Sequence, residues 1–180
     1  PSRREIGIPT AFNLLGPMAN PAPIANMLVG TAFPAMMEPM SAALSSRGVR
    51  SAWIVHGHDG MDELAVSGPN TVHILREGRV DRTVVDAADH GIPRSTLEDV
   101  RGGDPSENLA IMERLLAGER GPVRDIVLFN AACALVVAGR CDEVADGLVL
   151  AAEALDSGVA ARVLATAARV SAREAERLEA

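Results

Sequence analysis

Two short apolar runs on either side of a helical segment constrain the fold of this chain more than any other feature. "NMLVGT" starts at Asn26 and "SAWIVHG" starts at Ser51. Each run is short and apolar, as in strands that are buried on both faces of a sheet. The segment between them has Met36, Met40 and Leu44 at four-residue spacing, which predicts an amphipathic helix. A strand, helix and strand in this order predict a right-handed crossover between parallel neighbours.

The rest of the chain adds a hairpin and a series of helices. "NTVHILREGRVDRTVV" alternates apolar and polar residues around Glu77-Gly78, which predicts an antiparallel hairpin. Four helices are predicted after it: "DPSENLAIMERLLAG" with Asp104 as N-cap, "PVRDIVLFNAACALVVAG" as a central buried helix, "CDEVADGLVLAAEALDSG", and an Ala-rich helix from about Val159 that frays after Ser171. The predicted fold class is α/β, with a mixed, largely parallel sheet flanked by helices.

Composition narrows the range of partners. The formal charge of −7 disfavours a nucleic acid or an anionic membrane surface, since both require a basic patch. Cys133 and Cys141 lack a C-x-x-C spacing and lie in or beside apolar helical sequence, so we expect buried thiols of a reducing cytosol. No apolar run reaches transmembrane length. Because the first residue is Pro1 rather than Met, we expect the chain to begin inside a longer reading frame or after processing.

The stretch "HGHDGMDE", residues 56–63, concentrates acids and histidines directly after the second predicted strand. The carboxyl ends of strands are where open α/β sheets bind ligands. Asp62 and Glu63 in a Gly-rich loop could converge on Mg²⁺, which takes few protein ligands and binds substrate phosphates. From the residues alone, solvated loop acids remain the more frequent explanation. His56 and His58 also suggest a transition-metal site, but the chain offers few further ligands, and His56 is better explained as a structural side chain.

Two further segments have competing interpretations. "RGGD", residues 101–104, could cradle a phosphate before a helix, but a tight turn capped by Asp104 explains the same residues. Arg3 and Arg4 could each grip a carboxylate with two parallel hydrogen bonds. From the residues alone, surface solubility is the favoured explanation of the two arginines.

Three colinear blocks together carry a resemblance to a known family: "RREIGIPTAFNLLGPMANPA", "VHGHDGMDEL" and "GGDPSENLAIMERLLAGERGPVRDIVLFNAACAL". Over roughly residues 1–170 the chain resembles the C-terminal half of anthranilate phosphoribosyltransferase. The resemblance implies transfer of a phosphoribosyl group from phosphoribosyl pyrophosphate to anthranilate, in a Mg²⁺-dependent step of tryptophan biosynthesis. It places the metal-binding pair on Asp62 and Glu63 and anthranilate binding on Arg3 and Gly16. It also implies a cytoplasmic homodimer for the full-length protein.

The resemblance divides the chain and shows two departures. Residues 1–24 are expected to be a remnant of a helical small domain, 25–171 the α/β phosphoribosyltransferase domain and 172–180 a charged helical tail. Pro9 stands where many relatives have Arg, and the family's upstream Gly-Thr-Gly-Gly-Asp phosphate loop is not in the chain. The 180 residues alone are therefore expected to be inactive. The alternatives are a same-fold paralogue, such as a nucleoside phosphorylase or another phosphoribosyltransferase, and a non-catalytic binding module.

Overall fold

The computed structural model describes residues 16, 18–20 and 22–179 of the chain. Its secondary structure comprises four strands and five helices within this part: β1 (Asn26–Gly30), α1 (Met37–Ser46), β2 (Ser51–His56), β3 (Asn70–Arg76), β4 (Arg79–Val85), α2 (Pro105–Leu116), α3 (Pro122–Val137), α4 (Val144–Asp156) and α5 (Val159–Glu179). Residues 1–15 of the expected helical remnant lie outside the described residues.

The four strands form one sheet in the order β1-β2-β3-β4. The β1 and β2 strands are parallel, as the crossover through α1 predicts, with Asn26 opposite Ser51 and Gly30 opposite Val55. The sheet is mixed and flanked by helices, so the α/β prediction is confirmed in this respect. The expectation of a largely parallel sheet is wrong for the described strands, because β3 is antiparallel to both β2 and β4.

The reason for the antiparallel majority lies in the connections. Of the four strands, only β1 and β2 are connected by an α-helix. Such a crossover brings the chain back to the end of the sheet where β1 began, so that β2 can run parallel to it. The β3 and β4 strands are joined by Glu77 and Gly78, which both have positive φ, at 50° and 80°. This backbone shape suits a two-residue hairpin and therefore an antiparallel pair.

Side chains from the two faces of the sheet enter two separate cores. On one face, Trp53 and Val55 of β2 pack with Phe129 of α3. On the other face, Ala52 and Ile54 of β2 pack against α1. The prediction that β2 is buried on both faces is therefore confirmed. The same prediction for β1 is wrong, because only Val29 is buried in this strand, which is one of the two edge strands of the described sheet.

The structure confirms the predicted start of α2 but not the predicted burial of α3. Asp104 caps α2 with a complete capping box, as predicted. The α3 helix is not buried all round, because its buried residues lie on the side facing the sheet and α4, while Val127 is exposed. The α5 helix continues past Ser171 to Glu179, where fraying was expected. Within the described residues, no helix combines the length and apolarity needed to cross a membrane.

Candidate functional site

The acidic segment, residues 56–63, runs from the last residue of β2 into the connection to β3. It lies at the carboxyl end of the parallel strands β1 and β2. A short 3-10 turn at His58–Gly60 follows β2, and Asp59 within it has a φ of 59°. Asp62 and Glu63 come after this turn, and both side chains are exposed. The structure therefore places both acids at the carboxyl end of the parallel strands, which is where open α/β sheets bind ligands.

Two glycines let the acidic segment approach the strand ends closely. A Cβ built on Gly30, the last residue of β1, would lie 1.6 Å from the backbone oxygen of Asp62. A Cβ built on Gly57, directly after β2, would lie 2.1 Å from the backbone oxygen of Glu63. The Gly57 amide also donates a hydrogen bond to the carbonyl of Met61, at 2.9 Å. Only glycine leaves room at positions 30 and 57 for this packing.

Two asparagine side chains hold the segment from the protein interior. Asn70, fully buried at the start of β3, accepts hydrogen bonds from the amides of His58 and Ala65 at 3.2 and 2.7 Å. Asn130 of α3 accepts from the amide of Leu64 at 3.0 Å and donates to the carbonyl of Leu64 at 2.8 Å. The backbone that carries the two acids is therefore fixed on both sides.

The carboxylate of Glu63 has a perturbed pKa. Partial burial against the protein raises the pKa of Glu63 above its ordinary value of 4.5, and the neighbouring Asp62 charge raises it further. The two carboxylates are thus close enough to repel each other, although both are open to solvent on one side. A cation bound between them would relieve this repulsion.

The donor set fits a small hard cation. Asp62 and Glu63 supply carboxylate oxygens, which are the ligands that Mg²⁺ prefers, and this ion binds through one or two carboxylates together with water and phosphate oxygens. Among the residues that the structure describes, no group of three or more His, Cys, Asp or Glu side chains is arranged to hold a metal ion. A site in this segment would therefore depend on substrate oxygens to complete the coordination.

The histidines of the segment have structural contacts. His56 Nδ1 lies 2.8 Å from the carbonyl oxygen of Thr31, so the ring links the ends of β2 and β1. The ring of His58 packs against Gly68 and lies 3.4 Å from the Asp59 carboxylate. These contacts support the interpretation of His56 as a structural side chain at a strand end.

The remaining predicted site residues have mixed outcomes. Arg3 lies outside the described residues. Gly16 is exposed, and no atom of the described chain lies within 4 Å of the position that its Cβ would take. The part of Gly16 in a substrate site stays a prediction. In "RGGD", Asp104 caps α2 and the Gly103 amide donates to the Asn108 side chain, as in a capped turn.

Sequence reasoning missed Gly30, Asn70 and Asn130 as determinants of this site. Asn130 interrupts the apolar run "IVLFNAACAL", and a polar side chain in such a run is a signal that a buried backbone group needs a partner. Asn70 begins a strand and carried no comparable signal. The partner of Asn130 lies 66 residues away, so the sequence alone does not identify it.

The fold and the fixed acidic segment together define the class of protein. Residues 1–161 match the model of the glycosyl transferase family, a/b domain, and the chain belongs to this family. Among named relatives, the chain is 47% identical over 165 residues to the anthranilate phosphoribosyltransferase of Parvibaculum lavamentivorans, covering 92% of this chain and 48% of that protein. It is 48% identical over 169 residues to that of Rhodococcus jostii, covering 91% and 46%.

Solved structures give the same result. The chain superposes on anthranilate phosphoribosyltransferase from Thermus thermophilus with a TM-score of 0.81 at 38% identity, covering 91% of this chain and 48% of that chain. The Saccharomyces cerevisiae enzyme in complex with PRPP and Mg has a TM-score of 0.77 at 28% identity, covering 89% and 46%. The predicted resemblance is confirmed. The chain spans about half the length of the relatives it matches.

Proposed function

We propose that the protein containing this chain transfers the phosphoribosyl group of phosphoribosyl pyrophosphate to the amine of anthranilate. The products are N-(5-phosphoribosyl)anthranilate and pyrophosphate, and the reaction belongs to tryptophan biosynthesis. The observation that carries the proposal is the Asp62-Glu63 pair on a segment fixed against two strand ends. The similarity to named anthranilate phosphoribosyltransferases across nine tenths of the chain supports it.

Each candidate residue has a role in this proposal. Asp62 and Glu63 hold Mg²⁺, which offsets negative charge on the departing pyrophosphate. Arg3 binds the carboxylate of anthranilate with two parallel hydrogen bonds, and Gly16 allows the aromatic substrate to pass close to the backbone. The substrate amine forms the new bond to the ribosyl carbon while the bond to pyrophosphate breaks, and the amine nitrogen releases one proton to give the neutral secondary amine. No nucleophilic side chain is required, because orientation and electrostatics supply the catalysis.

The proposal extends to the setting of the enzyme. We expect a cytoplasmic homodimer that uses Mg²⁺ and these two small-molecule substrates, without nucleic acid or membrane partners. We also expect residues 1–180 alone to be inactive, because half the length of the relatives has no counterpart here. Substantial formation of phosphoribosyl-anthranilate by these 180 residues would contradict this last expectation.

The function is tested by assaying the protein as its gene encodes it with phosphoribosyl pyrophosphate, Mg²⁺ and a panel of acceptors. The expected result is pyrophosphate release that depends on anthranilate and on Mg²⁺. Turnover of a nucleobase, or phosphorolysis of a nucleoside, would instead assign the protein to another activity of the same fold. Failure to bind Mg²⁺ with pyrophosphate would indicate a non-catalytic binding module.

A further inference from the structure

The side chain of Asn130 reaches from α3 to the residue that directly follows the acidic pair. Its Oδ1 accepts from the Leu64 amide at 3.0 Å, and its Nδ2 donates to the Leu64 carbonyl at 2.8 Å. The Nδ2 group also donates to the Ile126 carbonyl at 3.0 Å, within the same helix. The amide group is thus held by its own helix while it holds both backbone polar groups of Leu64.

The peptide group between Glu63 and Leu64 has contacts at both its N–H and its carbonyl. Its N–H belongs to Leu64 and donates to Asn130. Its carbonyl belongs to Glu63 and packs against Gly57, where a Cβ would lie only 2.1 Å away. A peptide group fixed at both its N–H and its C=O leaves little freedom to the Cα of Glu63, which precedes it. The direction of the Glu63 side chain follows from that Cα.

The support behind Asn130 is rigid. The preceding residue in α3, Phe129, is fully buried, and Cys133 one turn further along is fully buried as well. Leu64 itself is fully buried in the same core cluster as Phe129 and Cys133. Close packing resists movement of such groups, so Asn130 cannot shift without disturbing the core. By contrast, the Glu63 side chain that this arrangement directs is exposed.

We propose that Asn130 is a positioning residue for the metal-binding pair, acting through the Leu64 backbone to aim the Glu63 carboxylate at the cation. This inference rests on the proposed function, since it assumes that Asp62 and Glu63 hold Mg²⁺. Groups that orient metal-binding carboxylates typically change metal affinity or activity 10- to 100-fold when they are removed. The hydrogen bonds of Asn130 go to backbone groups of Leu64 and Ile126, so we expect its effect on the cation to be transmitted through the Leu64 backbone.

The test uses Asn130→Ala and Asn130→Asp in the protein as its gene encodes it. The first variant removes both hydrogen bonds to Leu64. The second is nearly isosteric and keeps an acceptor for the Leu64 amide, but it loses the donor to the Leu64 carbonyl. Val137→Ala, at a buried position of the same helix, serves as a control for loss of core packing. Mg²⁺ half-saturation is measured by turnover, and by calorimetric titration of Mg²⁺ with pyrophosphate, which requires no turnover.

Both Asn130 variants are expected to raise the Mg²⁺ half-saturation concentration about 10- to 100-fold. Excess Mg²⁺ should restore most of kcat, and the KM for anthranilate should change by less than about twofold. Val137→Ala should lose stability without a change in half-saturation. Half-saturation in the Asn130 variants equal to that of Val137→Ala, or a loss of kcat that Mg²⁺ does not restore, would overturn the inference.

Failure of this inference and failure of the proposed function give different results. If Asp62→Asn changes the Mg²⁺ titration and the Asn130 variants do not, only the role of Asn130 is wrong. If Asp62→Asn leaves the titration unchanged, the metal site itself is wrong, and the inference falls with it. If Asn130→Ala does not fold, Asn130→Asp decides the question, because its shape is nearly that of the native side chain.

Discussion

The backbone oxygen of Asp62 lies where a side chain on Gly30 would begin, 1.6 Å from the position of a built Cβ. Gly30, the last residue of β1, and Asp62, the first acid of the candidate metal site, are therefore in direct backbone contact although they are far apart in the sequence. This contact makes the position of the acid depend on the end of a strand in the sheet. It also makes the site sensitive to the smallest possible enlargement of Gly30.

Gly30→Ala should impair metal use more than stability. The added methyl group cannot coexist with the Asp62 carbonyl, so the acidic segment must move away from the strand end. We expect the Mg²⁺ half-saturation concentration to rise about tenfold or more, the scale seen when ligand geometry is disturbed. Asn26→Ala at the opposite end of β1 is the control. An unchanged Mg²⁺ titration in Gly30→Ala would show that the acids tolerate displacement and that their position is not critical.

Asp62→Asn should weaken the Mg²⁺ dependence and lower the rate by about 10²-fold or more, as expected for the loss of a group that stabilises transition-state charge. Asp59→Asn is a matched control in the same segment. Its side chain is exposed and its φ of 59° is a conformation that Asn tolerates, so the exchange removes one charge without strain. Equal effects of the two exchanges would mean that general negative charge in the segment, rather than coordination, supports the reaction.

The raised pKa of Glu63 predicts an unusual pH dependence of metal binding. Burial and the Asp62 charge make Glu63 take up a proton at a higher pH than an ordinary glutamate does. As pH falls, Mg²⁺ half-saturation should therefore begin to rise before the range in which unperturbed carboxylates titrate. Mg²⁺ titrations at a series of pH values, in the wild type and in Glu63→Gln, test this. The substitution should remove the part of the pH dependence that comes from protonation of Glu63. Parallel pH profiles in the two proteins would count against Glu63 as a ligand.

The parts of the fold that depend on neighbours in the sequence could be predicted. The spacing of Met36, Met40 and Leu44 predicted α1, and the turn at Glu77-Gly78 predicted the β3-β4 hairpin. Asp104 predicted the start of α2, and in the structure it forms a capping box with Glu107 three residues later. In each case the stabilising contact lies within a few residues, so the sequence pattern and the physical cause coincide.

The parts that depend on distant contacts could not be predicted. The half-exposure of β1 follows from its place at the edge of the described sheet, and no pattern inside "NMLVG" encodes that place. Residue type made Asp62 and Glu63 candidates for a metal site and the resemblance placed the metal pair on them, but neither indicated the groups that fix the backbone around them. The two hydrogen bonds between Asn130 and Leu64 join residues 66 positions apart in the sequence. They form only because α3 packs on the face of the sheet whose core cluster includes Leu64.

Arg3→Ala should raise the KM for anthranilate more than that for phosphoribosyl pyrophosphate, because the proposed role of Arg3 is to bind the anthranilate carboxylate. Arg4→Ala is the neighbouring control and removes the same charge from the next position. The measurement is steady-state kinetics with each substrate varied in turn. A larger change for the phosphoribosyl donor would remove Arg3 from the aromatic site.

Asp156→Ala should be among the costly substitutions on the protein surface. Arg124 is buried, at 3% exposure, and its Nη2 lies 2.8 and 2.9 Å from the two carboxylate oxygens of Asp156, which is half-exposed at the end of α4. Removing the acid leaves a buried guanidinium without its counter-charge. We expect a loss of about 2 kcal/mol in the free energy of unfolding, somewhat below the cost of breaking a fully buried pair.

Urea unfolding of Asp156→Ala and of Glu174→Ala gives the comparison. Glu174 lies 3.3 Å from Arg177 on α5, and both side chains are largely exposed, so its removal should change stability little. The contrast isolates burial of the arginine as the cause, since each exchange removes one acid from one ion pair. Equal midpoints would mean that Arg124 gains a replacement partner when Asp156 is absent, and that its burial does not depend on the ion pair.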